Sequence, residues 1–453
     1  MPYRYRWALL LGASCYFYMA FVPVYILILG FTIVIDYIAG IYIERAVGKQ
    51  RKLFLILSLV ANISVLVLFK YYNFINENLN WLIGELGHES PAPYLNILLP
   101  IGLSFHTFQA MSYTIEIYRG KQAAEKHFGI YSLYVMFYPQ LVAGPIERPQ
   151  NVLPQLHKNH QFSYSNMTIG LRLMLWGFFK KLVIADRLAL YVDAVYDNPE
   201  IHNGSSVVIA SIFFAFQIYC DFSSYSDIAI GAARTMGFNL MTNFRRPYLS
   251  VSITEFWNRW HISLSSWFRD YLFIPLGGNR VKVSRRFLNI FIVFMVSGLW
   301  HGASYNFVIW GVLHGLYQII AVLSRPYFQI FETNLGIKNS KVWIILQGLF
   351  TFSLVVFAWV FFRATTFDDA LQMITSLTSL GAVPFFGGTN QFAHCLLGIS
   401  LLLTIEFVTE LKPDFKMLYS TSRPIRWGSA LTLLFLILFF GVFNGGQFIY
   451  FQF

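Results

Sequence analysis

The chain has 453 residues, of which 56% are hydrophobic and only 12% are charged, and its formal net charge is +11. Soluble domains are about 25% charged, so the composition excludes a soluble globular fold. The mean hydropathy is +0.54, and apolar runs that can cross a bilayer as helices recur along the whole length. The predicted fold class is an all-α polytopic membrane protein. Its positive charge indicates basic cytoplasmic loops, so no nucleic acid is expected as a partner.

The apolar pattern predicts about eleven membrane-embedded segments of about 20 residues each, some of them short or broken. Two of the ranges are expected to be re-entrant or paired. The ranges are 7–20, 22–43, 53–69, 97–118, 129–145, 168–186, 206–233, 287–300, 303–323, 343–362, 393–411 and 427–443. The sequence contains no internal repeat and no low-complexity linker, so residues 1–453 are predicted to form a single domain. The first apolar run directly follows MPYRYRW, and we expect no cleavable signal peptide there.

Lysine and arginine in the loops predict the orientation. Basic clusters lie within 45–52, 280–286 and 412–426, and we expect all three in the cytoplasm. The stretches 73–94, 196–206 and 381–391 lack lysine and arginine, and we expect them outside. Because the last helix follows a cytoplasmic loop, the sequence NGGQFIYFQF that follows it is expected to emerge on the outer side.

The stretch 244–286 mixes aromatic and charged residues and differs from the other segments. Eight of its residues recur at three- and four-residue spacing, which predicts one helical face: Trp257, Trp260, His261, Leu264, Trp267, Phe268, Tyr271 and Leu272. Thr254 is the expected N-cap, and Pro275 with the following glycines is expected to end the helix. Such an amphipathic helix is predicted to lie in the membrane interface or to dip in from it.

The apolar stretch SGLWHGASYNFVIWGVLHG (297–315) contains His301 and His314 and no charged residue. Ionisable residues in a membrane are expensive and often functional, and histidine is suited to taking a proton from a hydroxyl near neutral pH. The glycines beside His301 would permit close approach of a backbone or a substrate, and Ser297, Ser304 and Asn306 would line a cavity. The alternative interpretation of His301 is a histidine hydrogen-bonded between helices.

Three other histidines are weaker candidates. His261 is the second candidate, with an interfacial histidine as the alternative. His314 lies thirteen residues beyond His301 and faces a different side of a continuous helix, which favours a packing role. His106 is a possible lining residue.

The motif FWNRWHISLSSWFRDYLFIPLGGNR (256–280) followed by SGLWHGASYNFVIWGVLHG closely resembles the membrane-bound O-acyltransferase family. The resemblance is greatest to the bacterial branch that contains alginate O-acetyltransferase, peptidoglycan O-acetyltransferases and the D-alanyl transfer protein of teichoic acid modification. Further similar stretches are FKYYNF (69–74), LPIGLSFHTFQAMSYTIEIYRG (99–120), YPQLVAGPIERP (138–149), QIYCDFSSYSDIAIGAARTMGF (217–238) and WVFFRATTFDDA (359–370). Close relatives usually begin with an extra apolar segment before a motif like YRYRW (3–7), so we expect this chain to start later, with a first helix missing.

The resemblance implies helices arranged around a central tunnel, with His301 as the catalytic residue and His261 as the second important histidine. It further implies transfer of an acyl group, expected to be acetyl, from a cytoplasmic thioester toward hydroxyls of an extracytoplasmic polysaccharide, in the bacterial cytoplasmic membrane. Acetyl-CoA is then a co-substrate, with no tightly bound cofactor and no metal. The expected donor-binding or tunnel-lining residues are Trp257, Arg259, Trp260, Arg269, Trp300, Asn306, His314 and His106, of which the two arginines would bind the donor's phosphates or lipid headgroups.

The last six residues, FIYFQF (448–453), have two interpretations. An aromatic anchor at the membrane surface is one. The other makes Tyr450 an acyl carrier, because the pattern resembles the terminal motif of a small partner peptide in the teichoic acid system. A nucleophile of this kind divides one difficult transfer into two easier steps.

Two further hypotheses compete with a complete transferase. One is a transporter or flippase of a lipid-linked sugar, in which the histidines line a passage without covalent chemistry. The other is an enzyme that delivers acetyl groups to a separate periplasmic or extracellular acetyltransferase. The expected partners are membrane lipid, the acyl donor, that second transferase and the polysaccharide. Alginate, peptidoglycan, another exopolysaccharide and teichoic acid all remain open as the acceptor.

Overall fold

The structure is a computed structural model that describes residues 3–88, 93–95, 99–338, 340–412, 417–444 and 448–449. Regular structure in these residues is helical throughout, which confirms the predicted all-α class. The chain divides into two compact units, Met1–Met167 with Ala232–Met241, and Thr168–Gly231 with Thr242–Phe453. The single domain predicted for 1–453, the central tunnel and the orientation of the loops stay predictions.

The first unit contains eight α-helices in its described residues. They are α1 Arg6–Met19, α2 Ile26–Arg45, α3 Lys49–Leu66, α4 Tyr72–Glu85, α5 Leu103–Tyr118, α6 Phe128–Met136, α7 Tyr138–Leu141 and α8 Pro149–Leu156. A π-helical turn, Val67–Tyr71, joins α3 to α4.

A polar cluster joins three helices of the first unit. The carboxylate of Asp36 on α2 accepts hydrogen bonds from Ser58 Oγ (2.6 Å) and Asn62 Nδ2 (2.9 Å) on α3. Ser58 also lies 3.1 Å from the hydroxyl of Thr114 on α5. All four side chains are buried. Since a buried polar group is costly without a partner, these bonds fix the packing of α2 against α3 and α5.

The second unit contains the remaining helices of the described chain, except that α9 begins and α11 ends in residues of the first unit. They are α9 Tyr164–Phe179, α10 Asp186–Tyr196, α11 Gly204–Thr235, α12 Ile253–Arg259, α13 Ile262–Phe268, α14 Val283–His301, α15 Tyr305–Asn334, α16 Lys341–Arg363, α17 Phe367–Ser376, α18 Thr389–Leu411 and α19 Arg423–Phe440. π-Helical turns lie at Lys180–Ala185, between α9 and α10, and at Arg269–Phe273, after α13.

Eight helices in the described residues are long and apolar enough to cross a membrane. They coincide with eight of the twelve predicted ranges, and the total of about eleven membrane-embedded segments stays a prediction. The four other ranges, 7–20, 97–118, 129–145 and 168–186, form shorter or interrupted helices. Helix α5 illustrates the reason: fourteen of its residues are buried, so its apolar composition reflects packing inside the protein.

Helices α14 and α15 form a hairpin whose backbones approach very closely. A Cβ atom at Gly298 would lie 2.2 Å from the carbonyl oxygen of Phe307, and one at Gly311 would lie 2.4 Å from that of Phe294. Both distances are far below van der Waals contact, so only glycine fits at this crossing. Ser304 caps α15 by accepting a hydrogen bond from the Asn306 N–H. The hairpin therefore fixes the position of His301, the last residue of α14.

The predicted interfacial helix is wrong in two respects. It is interrupted between α12 and α13, because His261 adopts a left-handed conformation with φ 42°, and its N-cap is Ser252 rather than Thr254. Five of its apolar side chains are buried in protein: Trp257, Trp260, Leu264, Trp267 and Phe268. Its predicted end is correct, since no helix continues between Phe273 and Val283.

The segment after α19, residues 441–453, is called the tail segment below. Its described part contacts other elements of the second unit, and its emergence on the outer side stays a prediction. The backbone N–H of Val442 donates to the carbonyl of Leu182 (2.9 Å), and Ile449 is only 4% exposed. The tail segment therefore packs back against the second unit. Tyr450 lies outside the described residues.

Candidate active site

Two predicted site histidines contact the same indole ring in the second unit. The ring centroid of Trp300 lies 6.2 Å from that of His261 and 4.9 Å from that of His301. His261 is fully buried and His301 is 4% exposed. Two elements far apart in the sequence, the α12–α13 break and the end of α14, thus meet at Trp300.

Asn243 holds the His261 ring in one orientation. Its side-chain oxygen lies 3.2 Å from His261 Nδ1 and also accepts hydrogen bonds from Ser263 N (3.2 Å) and Ser263 Oγ (2.9 Å). Its amide nitrogen donates to Ser226 Oγ on α11 (3.1 Å). Because an amide oxygen can only accept, His261 donates through Nδ1 and its Nε2 is the basic nitrogen.

Backbone hydrogen bonds support the left-handed conformation of His261. The N–H of Ile262 donates to the carbonyl of Asn243 (2.8 Å), and the N–H of Arg245 donates to that of Arg259 (2.9 Å). A non-glycine residue in this region costs of order 1–3 kcal/mol and clusters at functional sites. Burial lowers the pKa of His261 to about 3, so the ring is neutral at physiological pH.

His301 lies among aromatic rings. Besides Trp300, its ring centroid is 4.9 Å from Trp310 on α15 and 5.3 Å from Phe362 on α16. The neighbouring glycines serve the close α14–α15 crossing, and a Cβ at Gly302 would meet the Phe307 ring at 2.1 Å. Close approach was thus predicted correctly, and the partner that approaches is the neighbouring helix.

His314 belongs to the same aromatic cluster and is connected to His301 through Trp310. Its ring centroid lies 4.9 Å from that of Trp310, which also contacts His301. The indole N–H of Trp257 donates to His314 Nδ1 (3.3 Å), and the ring of Phe256 stacks on it with planes 8° apart. His314, which lies on α15, therefore packs against α12, and the packing role stays a prediction.

The two predicted arginines have different surroundings. The guanidinium of Arg259 donates to Glu255 (2.6 Å) and to Glu410 (2.9 Å), so two carboxylates already occupy it. Its neighbour Trp260 is buried and stacks on Phe256. The side chain of Arg269 is 64% exposed and pairs only with the adjacent Asp270 (2.9 Å) among the contacts of the described chain.

Two other predicted lining residues, Asn306 and His106, differ in their surroundings. Asn306 donates through Nδ2 to the carbonyl of Ala364 (2.9 Å), which links α15 to the end of α16. His106 belongs to the first unit, where it is buried and neither ring nitrogen has a hydrogen-bond partner among the described residues.

Sequence reasoning missed Asn243, Ser226, Trp310 and Phe362. Asn243 lies 18 residues before His261 in a loop, and no spacing rule connects the two. Ser226 belongs to QIYCDFSSYSDIAIGAARTMGF (217–238), one of the stretches that carried the resemblance, and that stretch was the available signal.

The fold and the site together define a polytopic helical membrane protein with a pair of buried histidines in an aromatic cluster. Residues 49–367 match the model of MBOAT, the membrane-bound O-acyltransferase family. The chain therefore belongs to the membrane-bound O-acyltransferase family, and it is an O-acyltransferase by family.

Three relatives illustrate the range of the family to which the chain is similar. The probable alginate O-acetylase AlgI of Pseudomonas aeruginosa is 39% identical over 384 residues, which cover 83% of this chain and 71% of the relative. The peptidoglycan O-acetyltransferase of Helicobacter pylori is 34% identical over 432 residues, covering 89% and 80%. The teichoic acid D-alanyltransferase of Bacillus subtilis is 28% identical over 299 residues, covering 62% and 73%. The protein is thus a multi-pass membrane protein with bacterial homologues.

Proposed function

We propose that this protein transfers an acetyl group from acetyl-CoA, or from a related acyl thioester, toward hydroxyl groups of an extracytoplasmic polysaccharide. The similarity to alginate and peptidoglycan O-acetyltransferases supports this substrate class. The observation that carries the proposal is the pair of buried imidazoles of His261 and His301 against one indole. Such a pair in an aromatic, water-poor environment is suited to acyl transfer, because the imidazoles can take up and release protons while the surrounding rings exclude water from the thioester.

His301 acts as the general base in this proposal. It takes the proton of the acceptor hydroxyl while the hydroxyl oxygen forms a bond to the thioester carbonyl carbon. The carbon–sulfur bond then breaks, and the sulfur leaves as a thiol after it takes up a proton. A positioned base contributes about 10²–10⁴-fold in rate.

His261 orients a reactant. Its Nδ1 is held by Asn243, which leaves Nε2 to accept a hydrogen bond from a donor or acceptor group. A neutral ring in this tautomer does not donate through Nε2, so orientation fits His261 better than stabilisation of an oxyanion.

Acetyl-CoA is proposed as a co-substrate, without a tightly bound cofactor. Arg269 is the arginine we assign to the donor's phosphates, because its side chain is exposed and has only the neighbouring Asp270 as an ion-pair partner in the described chain. The two ion pairs of Arg259 weigh against the same role for it.

Tyr450 is proposed as an intermediate acyl carrier. In the first step the phenol is the hydroxyl that attacks the thioester: His301 takes its proton, the phenolic oxygen forms an ester with the acyl carbon, and the sulfur leaves as a thiol with that proton. In the second step the polysaccharide hydroxyl attacks that ester and the phenol takes back a proton. The change Tyr450→Phe is expected to abolish transfer, and a fully active variant would eliminate the relay.

The proposed location is the bacterial cytoplasmic membrane, with donor binding on the cytoplasmic side. A separate periplasmic or extracellular acetyltransferase is the proposed partner wherever the acyl group does not reach the polymer directly. Membrane lipid surrounds the spanning helices.

Purified protein with labelled acetyl-CoA tests the proposal. The expected result is label transfer or thioester hydrolysis that is lost in His301→Ala. His202→Ala is the matched control, because His202 lies in the same unit and contacts Ala194 and Phe385 instead. Translocation of a lipid-linked sugar that persists in His301→Ala, without any covalent transfer, would overturn the proposal in favour of a transporter.

A further inference from the structure

A buried cluster of charges lies at the π-helical turn Lys180–Ala185. Lys180 Nζ pairs with Asp227 (2.8 Å), and Lys181 Nζ pairs with Asp186 (2.8 Å) and Asp221 (2.6 Å). The side chains of both lysines are buried. An α-helix gains one residue in a π turn, and such turns are frequent at functional sites. Removing charges from water in this way is costly, so the cluster calls for an explanation beyond stability.

The tail segment follows this turn closely. Its start is fixed where Arg187 donates to the carbonyl of Phe440 (2.6 Å) and the N–H of Val442 donates to Leu182 (2.9 Å). Further along, the ring of Phe448 lies under the ammonium group of Lys181, at 4.5 Å from the centroid. The tail segment is thus docked on this turn at both ends of its described part.

One carboxylate joins the charge cluster to the tail segment. Asp221 Oδ1 accepts from Lys181 (2.6 Å), while Asp221 Oδ2 accepts from the backbone N–H of Ile449 (2.7 Å). The ring of Tyr225, one helical turn further along α11, meets that of Phe448 edge to face at 5.1 Å. The amide that Asp221 binds belongs to the residue directly before Tyr450.

The same stretch of α11 also contacts the candidate active site. Phe222, the residue after Asp221, packs against the His261 ring with centroids 4.7 Å apart. A displacement of α11 at Asp221 would therefore move the Phe222 ring that packs on His261. The docked tail segment and the histidine both contact α11.

We propose that Asp221 and Lys181 are positioning residues that hold the tail segment at Phe448 and Ile449, and that acyl transfer depends on this docking. The inference rests on the proposed acyl transfer and deepens it. Asp221 acts through the backbone of the tail segment and not on the substrate. The ion pair with Lys181 fixes the carboxylate, since charge-assisted hydrogen bonds are about twice as strong as neutral ones.

The first experiment measures docking by amide hydrogen exchange of the tail segment in the purified full chain. Asp221→Asn is expected to speed exchange of this segment about tenfold, because the carboxylate and its charge-assisted bonds are lost. Asp227→Asn is the matched control: it removes a partly buried carboxylate from the same helix, but one that pairs with Lys180. Equal exchange in parent and Asp221→Asn, or equal acceleration in Asp227→Asn, overturns the docking.

A second pair of variants removes the bond from the other side. Ile449→Pro lacks the backbone N–H, whereas Ile449→Val retains it together with the branched side chain. If the two groups act through one bond, the tail segment exchanges no faster in the double variant Asp221→Asn with Ile449→Pro than in Ile449→Pro alone. Additive increases in the exchange rate would show that Asp221 has only a general structural role and would overturn the inference.

Acyl transfer separates this inference from the proposed function. We expect kcat to fall in Asp221→Asn while KM for acetyl-CoA stays at the parent value, since the donor site is untouched. A parent protein without any transfer refutes the proposed function, and the positioning role falls with it. A parent that transfers and depends on His301, with unchanged kcat in a variant whose tail segment is loosened, refutes the positioning role alone.

Discussion

Replacement of Asn243 by alanine tests how the His261 ring is held. The change removes the acceptor of three hydrogen bonds, including that of His261 Nδ1 at 3.2 Å. Each buried donor left without a partner costs about 1–3 kcal/mol. If only the bond to the imidazole affects the transition state, that loss corresponds to about a tenfold to hundredfold fall in kcat.

The assay follows labelled acetyl transfer by the purified variant, with kcat and KM measured separately. Asn289→Ala is the matched control, because Asn289 is a fully buried asparagine of the same unit that donates to the carbonyl of Leu276 and forms no hydrogen bond with a histidine within the described residues. Asn243→Asp should retain more activity than Asn243→Ala, since a carboxylate still accepts from Nδ1.

The aspartate variant carries a second, independent signature. A carboxylate beside the ring favours the imidazolium form and raises the pKa of His261 from its low value in the parent. A new dependence of kcat on pH should therefore appear in Asn243→Asp. Parent-like kcat in Asn243→Ala, or an equal loss in Asn289→Ala, would refute the reasoning.

Two further variants test packing and ionisation. Gly298→Ala places a methyl group 2.2 Å from the Phe307 carbonyl oxygen and should lower stability by about 1–3 kcal/mol and reduce transfer. The control Gly428→Ala, whose methyl group meets nothing within 4 Å, should change neither thermal stability nor transfer. Equal effects of the two substitutions would argue against the tight crossing. Burial raises the pKa of Glu147 from 4.5 to about 7, so its contribution to stability is full below pH 4.5 and lost as the pH rises through 7. Compared with Glu147→Gln, the parent should lose up to about 3 kcal/mol between those values, and identical pH dependence of the two melting temperatures would contradict this.

The sequence was sufficient for the helical class, the positions of the eight long apolar helices and the pairing of two distant motifs in one site. Hydrophobic runs of bilayer length give a strong signal because lipid leaves the backbone few alternatives. The prediction was weaker for α5 and for the α12–α13 segment, because burial in protein and burial in lipid select the same side chains.

Local spacing could not predict the break at His261. Its left-handed conformation is stabilised by backbone bonds to the distant residues Asn243 and Arg245, and such tertiary contacts are not encoded in the periodicity of 254–272. For the same reason the contacts of the tail segment were not predicted, since the charge rule orients helices but does not describe a chain that packs back against Asp221.

The polar cluster around Asp36 has a consequence for biogenesis. An aspartate at the centre of an isolated membrane helix opposes insertion by about 2.5–3.5 kcal/mol, and α2 contains this residue near its middle. The donors that satisfy it, Ser58 and Asn62, emerge from the ribosome with the very next helix. Insertion of α2 and α3 as a helical pair would let the carboxylate enter the bilayer already solvated by its neighbour.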